Sequence, residues 1–269
     1  MSSNASHAAQ FRQLHAAGLL LLPNAWDAGS ARLIESLGAK AIATTSAGVA
    51  WANGYADGDQ LPVAQLVATA ASIARVIAIP LSVDVEGGYS DDPATVADNV
   101  VRLAGNGVVG INLEDGAGAP ELLCAKIERI KRECAQRGLE VYVNARTDVY
   151  LRGLAPAGER VEPTLARAAQ YRDAGADGLF VPGLTEADEI GAVAARAGMP
   201  LNVMLRPNLP DTATLESLGV RRLSAGSNLS EEAFAHTRAG AREFLRSGRS
   251  PASADAMGYG AINGLFADR

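Results

Sequence analysis

The 269-residue chain is poor in the side chains that most often announce a chemistry. It has two cysteines, three histidines and three lysines, and aromatic residues make up only 5% of it. Cys124 and Cys134 lie ten residues apart in a stretch patterned as one helix. At 1.5 Å per residue that is about 15 Å along the axis, too far for a bridge. They read as reduced thiols of a cytosolic protein. His7 and His15 precede the first strand candidate and His236 falls in the last helix, so a histidine-ligated zinc site has no material. Lys40 enters a strand at its N-terminal end, while Lys126 and Lys131 lie in a helix. None is placed for a Schiff base or for pyridoxal phosphate chemistry. No apolar run approaches the roughly 20 residues of a membrane span, and Met1–Gln10 is polar without a signal-peptide core. A cytoplasmic location is expected. The net charge of −6 is spread along the chain, which argues against nucleic acid or an anionic membrane as a partner.

What the chain does have is an alternation repeated eight times. Short apolar runs at Leu19–Leu22, Ala41–Thr44, Leu81–Val85, Gly110–Leu113, Val141–Ala145, Gly178–Val181, Leu201–Leu205 and Arg222–Ser224 read as parallel strands buried on both faces. Helical patterns follow them at Gly29–Leu37, Val63–Val76, Ala94–Ala104, Glu121–Arg137, Thr164–Ala174, Glu186–Ala197, Ala213–Leu218 and Ser230–Leu245. Helices that end in glycine, as at Gly38, Gly175, Gly198 and Gly219, lead directly into the next strand. Eight such units with short joints favour a single α/β domain over 1–269, a (β/α)₈ TIM barrel. An open doubly wound sheet is the competitor, but no Gly-x-Gly-x-x-Gly follows the first strand. The tail 247–269 is extra to the eight units. Its apolar Met257, Ile262, Leu265 and Phe266 predict an arm that packs on something.

Barrel enzymes place their chemistry at the C-terminal ends of the strands. There the chain carries a ring of carboxylates and one arginine. Asp84, Glu86 and Glu114 follow adjacent strands and offer oxygen to a hard cation, and strand alternation predicts that Asp84 and Glu86 face the same way. The bland alternative is that strand-end acids cap helices or stay solvated. Arg146 could clamp a substrate carboxylate through its planar fork or neutralise the acids around it. Ser46 and the amides of Ala47 and Gly48 could cradle an anion or form an ordinary turn. Asp57 sits in a glycine-flanked loop, as a mobile acid or as a turn former. Ser227 and Asn228 could bind phosphate, although capping of the last helix is the simpler role. Trp26 and Tyr89 could line the pocket or belong to the core.

Five segments in order, Thr45-Ser46-Ala47-Gly48, Gly54-Tyr55-Ala56-Asp57, Asp84-Val85-Glu86-Gly87-Gly88-Tyr89, Asn112-Leu113-Glu114-Asp115 and Ala145-Arg146-Thr147-Asp148, resemble the isocitrate lyase / phosphoenolpyruvate mutase superfamily. The resemblance runs from about Leu21 to Ser227. It implies a barrel in which Asp84, Glu86 and Glu114 hold Mg²⁺, partly through water, with Mn²⁺ able to replace it. It implies that Ser46 and the Ala47 and Gly48 amides bind the carboxylate of a 2-oxo acid, that Arg146 binds substrate, and that Asp57 is the mobile acid. Trp26 is expected beside the substrate. The shared chemistry is formation or consumption of a pyruvate-like enolate. In the family the last helix is often exchanged between subunits, so the C-terminal arm predicts a dimer or a dimer of dimers.

Two departures bear on the reaction. The usual Asp-x-Asp of the third strand is Asp84-Val85-Glu86 here. The gating loop that carries a catalytic cysteine or lysine in the family is cut to Gly116-Ala117-Gly118-Ala119-Pro120, with no acid, base or thiol, and Cys124 lies inside the following helix. The resemblance implies first a carbon–carbon lyase of the isocitrate or 2-methylisocitrate type acting on a 2-oxo or 2-hydroxy carboxylic acid. Phosphorus–carbon chemistry on phosphonopyruvate or phosphoenolpyruvate, decarboxylation of oxaloacetate, and a non-catalytic 2-oxo-acid binder are the alternatives.

Overall fold

Apolar runs of three to seven residues can satisfy their backbone only by pairing on both sides, and in this chain every strand between the two ends of the sheet has a parallel neighbour on either side. A computed structural model describes residues 3–249 and 256–267. Its strands are β1 (Leu20–Leu22), β2 (Asn24–Ala25), β3 (Ile42–Thr44), β4 (Leu81–Asp84), β5 (Val108–Glu114), β6 (Tyr142–Arg146), β7 (Gly178–Phe180), β8 (Leu201–Met204) and β9 (Val220–Ser224). They form one parallel sheet in the order β1-β9-β8-β7-β6-β5-β4-β3-β2. Only Pro23 separates β1 from β2, so the two ends of the sheet meet and the nine segments make the eight-stranded barrel that the alternation predicts. Pro23 has no N–H to give a ladder. Its carbonyl accepts from Ala43 while the Leu22 carbonyl accepts from Ala225, and the first strand thereby serves a different neighbour on either side of the break.

The helices are α1 (Ser3–Leu14), α2 (Ala28–Ser36), α3 (Ser46–Ala52), α4 (Val63–Val76), α5 (Pro93–Ala104), α6 (Pro120–Gln136), α7 (Val161–Asp173), α8 (Ala187–Arg196), α9 (Thr212–Ser217), α10 (Asn228–Ser247) and α11 (Tyr259–Gly264). The main apolar core lies between strands and helices. On α5 the buried residues Val96, Ala97, Val100, Leu103 and Ala104 recur at helical spacing and seat the helix on the sheet. Sharp starts come from side-chain caps, as where the Asp92 carboxylate accepts from the Ala94 and Thr95 amides at 3.3 and 3.0 Å.

Helix α1, which the sequence pattern marks only weakly, plugs the base of the barrel. Its Ala8, Phe11 and Leu14 join Leu20, Leu22, Ala41, Ala43 and Tyr142 in a second apolar cluster. The ring of His15, just past α1, stacks on Tyr142 with centroids 4.5 Å apart. The C-terminal arm lies partly outside the described residues. Its described part returns to its own barrel, where Arg32 Nε donates to the Leu265 carbonyl at 2.7 Å and Phe266 packs on the core.

Burial, and then the neighbouring Arg222 guanidinium, lower the His15 pKa from 6.5 to about 4. The unfolded chain therefore binds more protons than the native one between those values. Stability from this histidine is fully present above pH 6.5 and is lost as pH falls toward 4, by about 3 kcal/mol in all. A His15→Leu variant should show a flatter urea-denaturation midpoint between pH 7 and 4 than the parent. Parallel profiles would show that His15 is not the acid-sensitive group.

Candidate active site

At the C-terminal mouth of the barrel Arg146 ends β6 and its guanidinium points between two carboxylates. Nη1 contacts Glu114 Oε2 across the β5–β6 pair. Nε and Nη2 meet the Asp148 oxygens at 2.7 and 3.1 Å. Asp148, fully buried, also accepts from Arg152 Nε at 2.8 Å. Burial works against the charge on Arg146, but Glu114 and Asp148 more than compensate and raise its pKa. Burial, with Asp84, Asp148 and Glu86 nearby, pushes Glu114 up to about 8 despite Arg146 beside it. The mouth is thus an acid cluster held around Arg146, with Arg152 at its edge.

Beside Arg146 opens a cavity of about 160 Å³. Ser46, Ala47, Asp57, Asp84 and Arg146 all line it, so five of the residues expected to act together are brought together. The segment expected as a loop after β3 is the helix α3, whose first residue is Ser46 and whose cap, Thr45, makes no side-chain bond to it. The opening amides of that helix have no partner within it, which suits an anion. Gly48 and Trp26 stand behind this edge rather than in the cavity lining. A Cβ on Gly48 would meet Thr45 Cγ2 at 2.7 Å and Trp26 Cβ at 3.0 Å, so only glycine lets the helix approach that closely.

The three expected metal ligands fall in different positions. Asp84 ends β4 and faces the cavity. Its Oδ1 accepts from the Glu86 amide, and Oδ2 has a long 3.5 Å contact with Asn112 Nδ2. Burial raises its pKa. Glu86 does not share its direction, because β4 has already ended and Glu86 takes a left-handed φ of 50°. Strand alternation does not apply there. The Glu86 carboxylate instead accepts from Gly58 and Asp59 amides and from the Tyr89 hydroxyl at 2.7 Å, which fastens the Asp57 loop to the barrel. Glu114 is engaged by Arg146. Among the described residues no three His, Cys, Asp or Glu side chains are gathered as a ready metal cage. The donor set is nonetheless all oxygen, with Asp84 open to the cavity and Glu86 and Glu114 behind it. A hard cation that keeps most of its waters asks for no more than this.

Other residues carry weight that the pattern alone did not reveal. Lys126 is buried on the apolar stripe of α6 and donates to the Gly87 carbonyl at 2.8 Å, holding the turn that carries Glu86. Its place three residues after Leu123 and four before Ile130 is the sequence signal that could have found it. Beneath the mouth the barrel interior is polar. Asn144 donates to Asn112 and Asn202, both at 2.9 Å, and Asn202 donates to Ser224. Arg222, 1% exposed, reaches Ser224 and Asn112 from below. Tyr89 packs partly against the core and bonds Glu86. Ser227 donates to Glu231, one turn into α10. Asp115 accepts from Arg167 at 2.6 Å and from Tyr171, so it ties β5 to α7.

A family model described as phosphoenolpyruvate phosphomutase matches residues 11–245. An uncharacterized protein of Mycobacterium tuberculosis is 42% identical over 223 residues, 81% of each chain. The oxaloacetate decarboxylase of Pseudomonas entomophila is 28% identical over 219 residues, 78% of this chain and 75% of its own. A solved structure from Burkholderia cenocepacia is 35% identical and superposes with a TM-score of 0.89, covering 99% of this chain and 98% of the other.

Asp148 is the anchor of Arg146, and breaking a buried pair leaves an uncompensated charge. Asp148→Asn should cost about 3–5 kcal/mol and lower the melting temperature by roughly 10 °C. An unchanged melting temperature would show that Glu114 alone suffices to hold the guanidinium.

Proposed function

Because the chain belongs to the phosphoenolpyruvate mutase/isocitrate lyase superfamily, we propose that it is a Mg²⁺-dependent enzyme that forms or consumes an enolate of a small 2-oxo or 2-hydroxy carboxylic acid, cleaving a carbon–carbon bond as isocitrate and 2-methylisocitrate lyases do. The observation that carries this reading is the convergence of Ser46, Asp57, Asp84 and Arg146 on one cavity at the mouth of the barrel. The cavity is smaller than the roughly 300–1,000 Å³ of ordinary ligand pockets, which suits a small acid.

Asp84 would hold the cation directly, with Glu86 and Glu114 behind it through water. Bound there, Mg²⁺ or Mn²⁺ supplies the positive charge on which an enolate oxygen depends. Ser46 and the opening amides of α3 bind the carboxylate next to the oxo carbon. Arg146, fixed by Asp148, offers its remaining N–H directions to a second carboxylate. Asp57 is the one loop acid that reaches the cavity, and it moves the proton between the hydroxyl and the leaving carbon. The loop 116–120 contributes no acid or base. That shortened gate, with the oxaloacetate decarboxylase likeness, favours decarboxylation as a second reading, since loss of carbon dioxide forms the enolate without a proton donor in the gate.

Asp84→Ala should abolish Mg²⁺-dependent exchange of solvent deuterium into the methyl group of pyruvate, read by proton NMR. Exchange that persists in metal-free protein would sink the cation assignment. Absence of exchange in the parent protein with every 2-oxo acid tried would favour a non-catalytic binder.

Self-association is part of the same proposal. The eighth unit leaves the outer face of β1 and β9 bare, in a groove of about 930 Å³ lined by Leu19, Leu21, Leu37 and Leu205. The long α10 meanwhile exposes Phe234, Phe244 and Leu245. A second copy of the chain would cover both, as a dimer or a tetramer. Phe244→Asp with Leu245→Asp should convert the assembly to monomer in sedimentation velocity. A parent protein that already sediments as a monomer at micromolar concentration would remove this part of the proposal.

A further inference from the structure

Asp57 and Asp59 flank Gly58 on one loop and face different cavities. Asp57 lines the mouth cavity, while Asp59 lines another of about 260 Å³ that also takes in Gly87, Gly116, Gly118 and Lys126. No hydrogen bond among the described residues holds the Asp57 side chain. Its place is therefore set by the backbone that follows it, and that backbone is clasped from both directions. Glu86 accepts from the Gly58 and Asp59 amides, and the Asp59 carboxylate in return faces the Tyr89 and Gly87 amides. Among the described residues Asp59, Glu86 and Tyr89 are the three with a side chain and a left-handed backbone, at φ of 56°, 50° and 61°. All three belong to the clasp. Residues with a Cβ adopt that conformation at a cost, so the surrounding contacts must hold the turn in place.

Lys126 supplies such a contact. It is 4% exposed, on a helix face otherwise made of Leu123, Ile127 and Ile130, and donates to the Gly87 carbonyl at 2.8 Å. The carboxylate it meets, Asp91, stands 3.8 Å away and is almost fully exposed, too solvated to offset the burial of a charge. For stability alone an apolar side chain would serve as well or better. What the ammonium provides and an apolar group does not is a fixed Gly87, and Gly87 is the residue next to Glu86 in the clasp.

We infer that Lys126 is a positioning residue for the reaction: through Gly87 and the clasp between Glu86 and Asp59 it fixes where the Asp57 carboxylate stands in the cavity. This rests on the enolate-forming reading given above, in which Asp57 carries the proton. The gate at 116–120 has no acid or base to take over that task. Ser46 and Arg146, which bind the substrate in that reading, lie outside the clasp. Lys126 therefore governs turnover rather than substrate affinity or stability.

Lys126→Met keeps an apolar stem and removes the donor. In the Mg²⁺-loaded full chain it should lower kcat for deuterium exchange into pyruvate by roughly 10- to 100-fold, with KM changed by less than about twofold. Amide hydrogen exchange read by mass spectrometry should become at least about tenfold faster in peptides covering 54–61. The melting temperature should not fall. Asp59→Gly removes the other half of the clasp while still permitting its backbone conformation, and should show the same split. It decides the matter by the same readouts should Lys126→Met fold poorly. The double variant should lose no more than the worse single one, since both act through one clasp. Unchanged kcat, unchanged protection of 54–61, or a raised KM with kcat preserved overturns the inference. A lowered melting temperature with intact kinetics overturns it too, by marking Lys126 as structural. A parent protein that exchanges no deuterium with any 2-oxo acid removes the enolate reading, and protection of 54–61 then decides alone whether Lys126 places Asp57.

Discussion

One guanidinium organises the mouth of this barrel. Acids end or follow three successive strands, and Arg146 is the cation that stands between them in that low-dielectric space. Arg146 reaches two of them, Glu114 and Asp148, and Asp148 in turn takes Arg152. This arrangement has a second effect. A guanidinium whose Nε and Nη2 are spent on a fully buried carboxylate cannot swing, so the edge it leaves toward the cavity is fixed in direction. The cavity, the apolar wall beside Phe180 and the acids across from it are all placed relative to that edge.

The polar interior beneath the mouth follows from the same need to hold charge. Barrel interiors are ordinarily filled by branched apolar side chains. Here Asn112, Asn144, Asn202 and Ser224 form a hydrogen-bonded layer, and the buried Arg222 lies below it. Burial lowers the Arg222 pKa to about 10, although Tyr142 and Asp84 act in the opposite sense. Through Asn112, which also contacts Asp84, a second cation sits under the acids without ever meeting the solvent. The layer provides the neutral donors and acceptors that make such a charge tolerable away from water.

Much of this was legible in the chain. The run Val63–Val76 is a helix with the same limits in the sequence pattern and in the structure, because its apolar spacing is strong and Pro62 marks its start. The eight strands were visible because burial on both faces makes them continuous apolar runs. What escaped was structure with weak local signals. Helix α1 shows only Ala8, Phe11 and Leu14 as an apolar stripe, and α3 is hidden among small residues that read equally well as a loop. The direction of Glu86 escaped for a different reason: a left-handed residue just past a strand end breaks the alternation, and the Gly87-Gly88 pair beside it was the only warning. The apolar part of the cavity lining escaped because Phe180 and Met204 end β7 and β8 while Leu151 comes from the loop after β6, and each looks like core when read singly.

The seam of the barrel has a consequence for how the molecule comes into being. The first strand can be paired on its open side only when Arg222–Ser224 exist. The contact that finishes the mouth, from the Gly226 amide to Asn24 Oδ1 at 3.0 Å, joins residues 202 positions apart. Loop-closure entropy makes such pairings late events in folding. Asn24 and Gly226 both border the cavity. A chain still missing its last unit therefore lacks one side of the cavity, Ser224, Gly226 and Ser227, and ligand binding becomes a reporter that the barrel has closed.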